Sequence, residues 1–527
     1  MTTYYVRHDG TQTNKANAKF GGAAARALSV SGFNNETFAA GDEIIFENSG
    51  TYTSSITFGQ TGTAAAPIVM RGPAVDNRPL IQPSSSGVGI RATGEHLRVM
   101  YFQAIGNGDD CFSVGANSGK DGDGYTVKFS DCLTVSNSTD DGFGASSPGS
   151  DDSQFEYIRC EARAVTGAGN QGFTNHDDQL MRLTDCVVTE TCDTALGVIG
   201  AGCEINGGTY RAITDVIFAS QGCQVVANNA NFYADAAATS ELVDLNSADT
   251  SVTFNDCYCE VTATSTGASA VKAAGQFIRF NGGRLVYAGT GTSGFEYTAD
   301  GTIEFIGGVE IELVGAMGAR LLRNVAGGGK IIVDRASIDV SRLTGTTTRV
   351  IFEWRNTSNG LGSRFCHNLI VGPAPQNLIV TRTADGCVAT VDIFNNTVHD
   401  ISASGCIFHQ NQKSGATGLT RMRNNILDDV TDGLSGTNGL FKDRNVYSNG
   451  TPDESDTNGG TADPVFADAD GGDFRLALTS PYRSNGNGLR GAVDLAGRHW
   501  VNPPSRGAYQ YRGGVRAASA RRVAANR

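Results

Sequence analysis

The sequence lacks several features that mark common classes of protein. It has only 12 prolines in 527 residues, charged residues make up 18% of it, and no run of 18 apolar residues occurs. No basic segment leads into an apolar stretch near the start, so the sequence predicts neither a secretion signal nor a membrane-spanning helix. The 12 cysteines form no Cys-x-x-Cys pair and no zinc spacing, which favours buried free thiols in a protein made in the cytosol.

Basic residues are too few for a protein that binds nucleic acid or an anionic membrane. The chain has 41 Lys and Arg against 54 Asp and Glu, a formal net charge of −13. No lysine occurs between Lys128 and Lys272. This balance argues against nucleic-acid and membrane partners, because both need clustered Lys and Arg.

Glycine is abundant, and short similar segments recur along the chain. With 68 glycines and 39% hydrophobic residues, the composition suits short strands and tight turns better than helices. The segments "VKFSDCLTV", "EYIRCEARAV" and "MRLTDCVVT" align so that Cys132, Cys160 and Cys186 lie 28 and 26 residues apart. Strands and polar corners with this period are typical of a parallel β-solenoid, whereas leucine-rich repeats would need a leucine ladder.

In a solenoid, residues one period apart become vertical neighbours about 4.8 Å apart. The column that contains Cys132, Cys160, Cys186 and Cys257 is therefore predicted to point into the interior. The paired asparagines of later segments are predicted to be corner amides that hydrogen-bond along the stack. These are Asn395, Asn396, Asn424 and Asn425.

The ends of the chain differ from its middle. The segment "GGAAARALSV" is the best helix candidate and is predicted to cap the first rung. The predicted segments are an N-terminal cap with first strands at 1–60, β-helix rungs at 61–447, a linker at 448–463, a C-terminal β segment at 464–512 and a basic flexible tail at 513–527.

Three stretches resemble known proteins. "TYYVRHDGTQTN", "GDEIIFENSGTYTSSITFGQTGTAAAPIVMRG" and "DPVFADADGGDFRLALTSPYRSNG" are similar to the terminal portions of the right-handed parallel β-helix superfamily, which includes pectate lyases and phage tailspikes. The resemblance implies an all-β, single-stranded, right-handed parallel β-helix with a short N-terminal capping helix and a small β-rich C-terminal segment. It says less about chemistry, because one fold hosts many activities.

Paired aspartates recur beside the strands. The segment "NSTDDGFGA" resembles the calcium-binding turn of one pectate lyase family: Asp140 and Asp141 match it, and Gly144 replaces its following Asp. "NGDDCF" would add Asp109 or Asp110. The resemblance implies Ca²⁺ as the candidate cofactor. The alternative with more weight is that these aspartates only form turns.

Alignment of the segments also predicts one acidic column, made of Asp110, Asp141, Gln171, Asp193 and Asp215. Stacked carboxylates repel one another unless a cation, a raised pKa or solvent relieves the repulsion. Glycoside hydrolysis needs two carboxyl groups roughly 5 to 9.5 Å apart. Adjacent rungs lie about 4.8 Å apart and alternate rungs about 9.6 Å apart. Asp110 with Asp141, or Asp141 with Asp193, would therefore suit hydrolysis.

A polysaccharide lyase would instead need a base near the acidic turns. The resembling family uses lysine, which this stretch lacks, so the candidates are Arg163, Arg182, Arg211 and His176. Arg163 and Arg211 are also candidate substrate-binding residues. Each of the four is more often an ordinary surface side chain.

Aromatic residues on the outside of a β-helix can stack on sugars. The candidates are Tyr157, Tyr258 and Trp354, and Tyr157 is the one assigned to substrate binding. Single exposed aromatics are also common on protein surfaces without such a role.

The favoured interpretation is a phage-type virion spike or fibre protein that binds a surface polysaccharide, with lyase or hydrolase depolymerisation left open. Such a protein would be assembled in the host cytoplasm, form a homotrimer and contact other virion proteins. One alternative is a secreted, extracellular, calcium-dependent pectate-like lyase. The other is a structural or decoration protein of the virion without enzyme activity.

Overall fold

The chain forms two compact units. Unit 1 comprises Met1–Ser265 and Ala270–Gln276, and unit 2 comprises Thr266–Ser269 and Phe277–Arg527. The computed structural model describes residues 1–106, 109–115, 127–136, 141–145, 154–164, 170–176, 180–189, 191–200, 202–234, 241–262, 271–273, 277–288, 294–297, 301–315, 320–324, 329–344, 350–356, 361–372, 377–383, 390–412, 419–436, 440–449, 456, 458–483, 486, 494–496 and 506–509.

Unit 1 is built from rungs, each with up to three short strands that pair in parallel with the equivalent strands of neighbouring rungs. The strands therefore form three columns. The first column consists of Thr3–Val6, Glu43–Phe46, Ile68–Arg71, Leu97–Met100, Val127–Ser130, Gln154–Ile158, Leu180–Thr184, Gly202–Asn206, Gln224–Asn228 and Ser251–Asn255. The second consists of Thr51–Tyr52, Leu80–Ile81, Gln103–Ile105, Leu133–Ser136, Glu161–Ala164, Val187–Val188, Thr209–Arg211, Asn231–Ala234 and Tyr258–Val261. The third consists of Ile56–Phe58, Ile90–Ala92, Phe112–Val114, Phe143–Ala145, Gln171–His176, Thr194–Ile199, Asp215–Ser220, Glu241–Leu245 and Val271–Ala273.

Unit 2 repeats this arrangement with its own three columns. Its first column consists of Phe277–Asn281, Thr302–Ile306, Lys330–Asp334, Leu361–Cys366, Thr390–Phe394, Leu419–Arg423 and Leu440–Asp443. Its second consists of Arg284–Tyr287, Glu310–Gly315, Ser337–Leu343, Leu369–Val371, Thr397–Gln412, Ile426–Gly436 and Val446–Ser448. Its third consists of Phe295–Tyr297, Arg320–Asn324, Val350–Asn356, Asn377–Thr383 and the later parts of Thr397–Gln412 and Ile426–Gly436. An antiparallel hairpin of Phe466–Asp468 and Asp473–Leu476 follows.

Stacked parallel rungs with almost no helix make each unit a parallel β-helix, and crossover connections between parallel strands are right-handed as a rule. The predicted fold class is confirmed. Among the described residues, the helices are too short and too polar to form a membrane span.

A single residue in the left-handed backbone region turns the chain from the first column to the second. Asp131, Asp185 and Asn229 take this position with φ of 54°, 52° and 52°. Asp and Asn tolerate this region better than other residues with a Cβ. The Asp131 N–H donates to the Ile158 carbonyl of the next rung at 2.9 Å. Asp131 and Asp185 are therefore corner residues.

The predicted cysteine column lies in the interior of unit 1. Cys132, Cys160 and Cys186 precede strands in register and are fully buried. Each thiol donates to a backbone carbonyl of an earlier rung, as Cys186 Sγ does to Tyr157 O at 3.3 Å. Burial raises the pKa of Cys132 and Cys160 well above the ordinary value, so these thiols are unreactive packing groups.

The equivalent interior position in unit 2 carries an asparagine ladder. Asn368, Asn396, Asn425 and Asn445 are buried, and the Nδ2 of each of the first three donates to the Oδ1 of the next, at 3.0, 2.9 and 2.8 Å. The ladder predicted at Asn396 and Asn425 is confirmed. The paired residues before them differ: Asn395 and Asn424 are the left-handed corners, with φ of 54° and 56°.

The helix predicted in "GGAAARALSV" is displaced. Ala24–Arg26 makes a single 3-10 turn, as does Lys15–Asn17, and the α-helix is Val30–Asn35. Leu28 is unavailable for a helix because its N–H donates to Tyr5 O at 2.9 Å and its carbonyl accepts from Arg7 N–H at 3.1 Å. Ser29 Oγ then caps the α-helix at Gly32 N–H.

The α-helix places Phe33 over the first rungs of unit 1. Its ring is buried and lies 5.5, 5.1 and 5.9 Å from the rings of Phe38, Phe46 and Phe58. The predicted N-terminal cap is therefore present, although its helix begins six residues after the 3-10 turn does.

Candidate functional site

The third column of unit 1 carries an acidic face, and an aromatic stack lies beneath it. Phe112 pairs in register with Phe143, and Phe143 with Phe173. Their rings stack at 5.0 and 4.7 Å, with interplanar angles of 11° and 6°. Asp110 and Asp141 each lie two residues before a ring of this stack. The predicted pair therefore occupies adjacent rungs.

Asp110 lies in an environment that favours its neutral form. It is only 9% exposed. Burial, followed by the negative charges of Asp141 and Asp109, raises its pKa to about 7, although a hydrogen bond from Ser113 opposes the shift. A carboxyl group with this pKa can donate a proton at neutral pH.

Asp141 lies in a different environment. Its side chain is partly exposed, and the buried Thr174 hydroxyl donates to its Oδ2 at 2.7 Å. A hydrogen bond donated to a carboxylate favours the charged form. The two carboxyl groups are thus neighbours in different environments.

Gly144 explains why the calcium-turn resemblance is incomplete. A Cβ at this position would lie 2.3 Å from Oδ2 of Asp110, so the Asp110 carboxyl group occupies the space of any side chain there. Asp109 Oδ1 accepts the Asp110 N–H at 2.9 Å. Asp140 lies outside the described residues. Asp109, Asp110 and Asp141 offer only part of the six to eight oxygens that calcium takes, so calcium here stays a prediction.

The predicted position of Asp193 is wrong by one residue. Gln171 pairs with Thr194, and Thr194 pairs with Asp215, so Thr194 occupies the column. Asp193 lies in the preceding corner because its N–H and that of Thr194 both donate to Asn170 O. Burial raises the pKa of Asp193, but the residue lies outside the column that contains Asp110 and Asp141.

The column becomes acidic again at residues that the alignment of segments only partly identified. Asp215 pairs with Glu241, and ligand atoms of Asp215, Glu241 and Asp244 lie within 4.8 Å of one another. Glu241 is only 3% exposed. The signal was available, since Glu241 follows Asp215 by 26 residues, one period of the repeat.

A second group of possible ligands lies in unit 2. Atoms of His399, Asp428 and Asp429 also lie within 4.8 Å of one another, and His399 Nδ1 is 2.8 Å from Asp428 Oδ2. Among the described residues, these are the two groups in which at least three His, Cys, Asp or Glu side chains have ligand atoms this close to one another. Neither includes the predicted calcium ligands.

The predicted arginine bases lie on other columns and have acidic partners. Arg182 is in the first column, where its Nε is 2.7 Å from Glu204. Arg163 is in the second column, where its Nε is 2.6 Å from Glu161. Neither belongs to the column that contains the acidic pair, so the structure does not bring these candidates together.

The other two candidates are also separated. His176 is in the third column, at the end of Gln171–His176, where it pairs with Ile199. Arg211 is in the second column, with its guanidinium 4.6 Å from the centroid of the Tyr233 ring. Only His176 shares a column with the acidic pair.

The prediction that Tyr157 faces solvent is wrong. Tyr157 is 0% exposed, and its ring lies 5.3 Å from Phe129 and 5.0 Å from Phe143 in the interior. In its strand the outward positions are those of Gln154, Glu156 and Ile158. Tyr258 does face outward and is partly exposed. The side chain of Trp354 lies outside the described part of the chain.

Comparison with known proteins gave no matching family model and no matching curated protein. Among solved structures, pectate lyase Pel9A has 15% identity and a TM-score of 0.31, with 97% of each chain covered. A mannuronic acid specific polysaccharide family 6 lyase from human gut microbiota has 13% identity and a TM-score of 0.35, with 80% of this chain and 91% of that chain covered. The GH136 lacto-N-biosidase from Eubacterium ramulus has 10% identity and a TM-score of 0.35, with 67% of this chain and 64% of that chain covered.

These likenesses concern fold alone. Strand register supplies the assignment: parallel pairing recurs from rung to rung in all three columns of each unit. Each unit of the chain is a right-handed parallel β-helix.

Proposed function

We propose that unit 1 binds a polysaccharide along its third column and cleaves it with Asp110 as the acid and Asp141 as the nucleophile. The observation that carries the proposal is the pair itself. Two carboxyl groups stand on adjacent rungs, one buried beside Gly144 and the other hydrogen-bonded by Thr174. Neighbouring carboxyl groups with different environments supply the acid and nucleophile roles of retaining glycoside hydrolysis.

In this proposal Asp110 donates its proton to the glycosidic oxygen as the bond breaks. The Asp141 carboxylate attacks the anomeric carbon and forms a covalent glycosyl ester, while the alcohol leaves with the proton from Asp110. Asp110, now a carboxylate, takes a proton from the water that hydrolyses this ester and frees Asp141. Adjacent rungs are about 4.8 Å apart. This spacing is close to the roughly 5 to 5.5 Å of retaining enzymes and shorter than that of inverting enzymes. The expected product has a saturated reducing end of retained configuration.

The second candidate is a calcium-dependent lyase that uses the same acidic turns. It is favoured by the crowding of Asp109, Asp110 and Asp141, because a bound cation would relieve their repulsion. Asp109, Asp110, Asp140 and Asp141 would hold the ion, which would acidify the proton next to the sugar carboxylate. The location of Arg163 and Arg182 on other columns counts against this candidate.

We further propose that the polysaccharide lies on a cell surface and that the chain is a virion spike or fibre, acting as a homotrimer beside other virion proteins. Its ten described free cysteines are all buried, which suits assembly in a reducing host cytoplasm. Light scattering of the purified chain tests the trimer directly. An extracellular lyase or a structural virion protein would be the alternatives.

The test is incubation of the chain with a panel of neutral and acidic polysaccharides. Cleavage is measured by the release of reducing ends and by the appearance of unsaturated sugars. Asp110→Asn and Asp141→Asn should each lower the rate at least about 100-fold. Asp76→Asn is the matched control, because Asp76 is an exposed aspartate of unit 1 outside the column. Full activity in both site variants would refute the site.

The other outcomes separate the alternatives. Activity that requires added Ca²⁺ and yields unsaturated sugars identifies the lyase. If no polysaccharide in the panel is bound or cleaved, the structural protein is favoured.

A further inference from the structure

Four outward side chains meet on three consecutive rungs of the second column of unit 1. Arg211, Tyr233 and Glu260 are in register on successive rungs, and Tyr258 lies two residues before Glu260 on the same strand. All four are partly exposed. We call them the tyrosine patch.

The patch is ordered by contacts among its own members. The Arg211 guanidinium lies 4.6 Å from the centroid of the Tyr233 ring. The rings of Tyr233 and Tyr258 lie 5.7 Å apart at 51°. The Tyr258 hydroxyl donates to Glu260 Oε2 at 2.6 Å. Because these contacts fix the rings before any ligand arrives, binding would cost little additional side-chain entropy.

Packing of the interior does not depend on Tyr233 or Tyr258. The alternate residues Phe232 and Cys259 point inward and are buried, so they supply the packing of these rungs. Elsewhere in the unit Tyr157 and Tyr210 are completely buried. The patch is therefore an addition to the surface, where an amphipathic ring offers both stacking and hydrogen bonding.

The charges of the patch indicate what it would bind. Arg211 and Glu260 cancel, so the patch has no net formal charge and offers both donors and acceptors at the ring edges. A neutral sugar has this combination, since its C–H face can stack on a ring and its hydroxyls can donate and accept. A polyanionic chain would meet Glu260 here and the acidic third column elsewhere.

We propose that the tyrosine patch is a second binding site for a neutral polysaccharide, on a different column from the Asp110–Asp141 pair. The inference rests on the proposed function of unit 1 as a polysaccharide-acting protein. Two sites on one chain would raise the affinity for long polymers, because the second contact becomes intramolecular. Short oligosaccharides would gain nothing from the patch.

The experiment is affinity electrophoresis of the full chain in native gels that contain xylan, mannan, galactan or mixed-linkage glucan. Tyr233→Ala and Tyr258→Ala should each weaken retardation by the bound polymer about tenfold, the loss expected when a ring contact is removed. Tyr5→Ala is the matched control, a partly exposed tyrosine of the first column. If Tyr233→Ala fails to fold, the retardation of Tyr258→Ala alone tests the proposed site.

Unchanged retardation in the folded variants would overturn the inference, as would a wild-type chain that none of these four polymers retards. A change in the mass of the assembly on Tyr233→Ala would also overturn it, because the patch would then be a contact between copies. The proposed function can fail separately. Loss of binding in the tyrosine variants, together with full cleavage by Asp110→Asn, would refute the catalytic pair and leave the patch standing.

Discussion

Replacing Asn396 by alanine should destabilise unit 2 strongly, because this residue is a central member of the buried ladder. Its Oδ1 accepts the Asn368 backbone N–H at 2.9 Å and the Asn368 Nδ2 at 3.0 Å. Its Nδ2 donates to Phe365 O and to Asn425 Oδ1. Alanine leaves at least two buried N–H groups of Asn368 without their acceptor, at about 1 to 3 kcal/mol each. The expected loss in the free energy of unfolding is about 2 to 6 kcal/mol.

The preceding residue supplies a matched control. Asn395 is equally buried, but its φ is 54° and its side-chain Nδ2 and Oδ1 have no hydrogen-bond partner. Glycine adopts this φ without strain, so the expected change for Asn395→Gly is within about 1 kcal/mol. Urea denaturation followed by circular dichroism measures both variants. Similar losses for the two variants, or a loss below about 1 kcal/mol for Asn396→Ala, would refute the ladder as a source of stability.

Three further predictions follow from the packing. Gly144→Ala should lower polysaccharide cleavage at least about tenfold, because the new methyl group displaces the Asp110 carboxyl, whereas unchanged kinetics would show that Asp110 has no fixed position. The hydrogen bond with Asp428 raises the pKa of His399. This pair should therefore stabilise the chain below about pH 6.5 and lose its effect as pH rises through the folded pKa. The difference in the free energy of unfolding between wild type and His399→Gln, measured by urea denaturation, should shrink over that range. A thiol reagent should label at most two of the 12 cysteines in the folded chain, since ten are buried and free, and labelling of more would contradict the interior columns.

The fold was predictable because the interior of a β-helix repeats. Like residues stack on like, so Cys132, Cys160 and Cys186 recur at nearly constant spacing and reveal the rung. Short polar corners recur for the same reason, since one left-handed residue per rung suits Asp, Asn or Gly. The helix was predicted too early in the sequence because helix propensity takes no account of the pairing between Leu28 and the first strand.

The site was less predictable because the connections between columns vary in length. Spacing therefore assigned Asp193 to a column that Thr194 occupies. Tyr157 lies inside because it alternates with the outward Glu156, so the strand period and not the aromatic residue type determines its side. The acidic pair was found because Asp110 and Asp141 precede rings that stack. The environments that distinguish them come from Thr174 and Gly144, which no spacing identifies.

Nuclear magnetic resonance of the first product released from a polysaccharide that the chain cleaves tests the central claim most directly. Carboxyl groups on neighbouring rungs should yield a saturated reducing end with the anomeric configuration of the substrate. An unsaturated sugar, or an inverted anomeric centre, would contradict the assignment of Asp110 as acid and Asp141 as its partner.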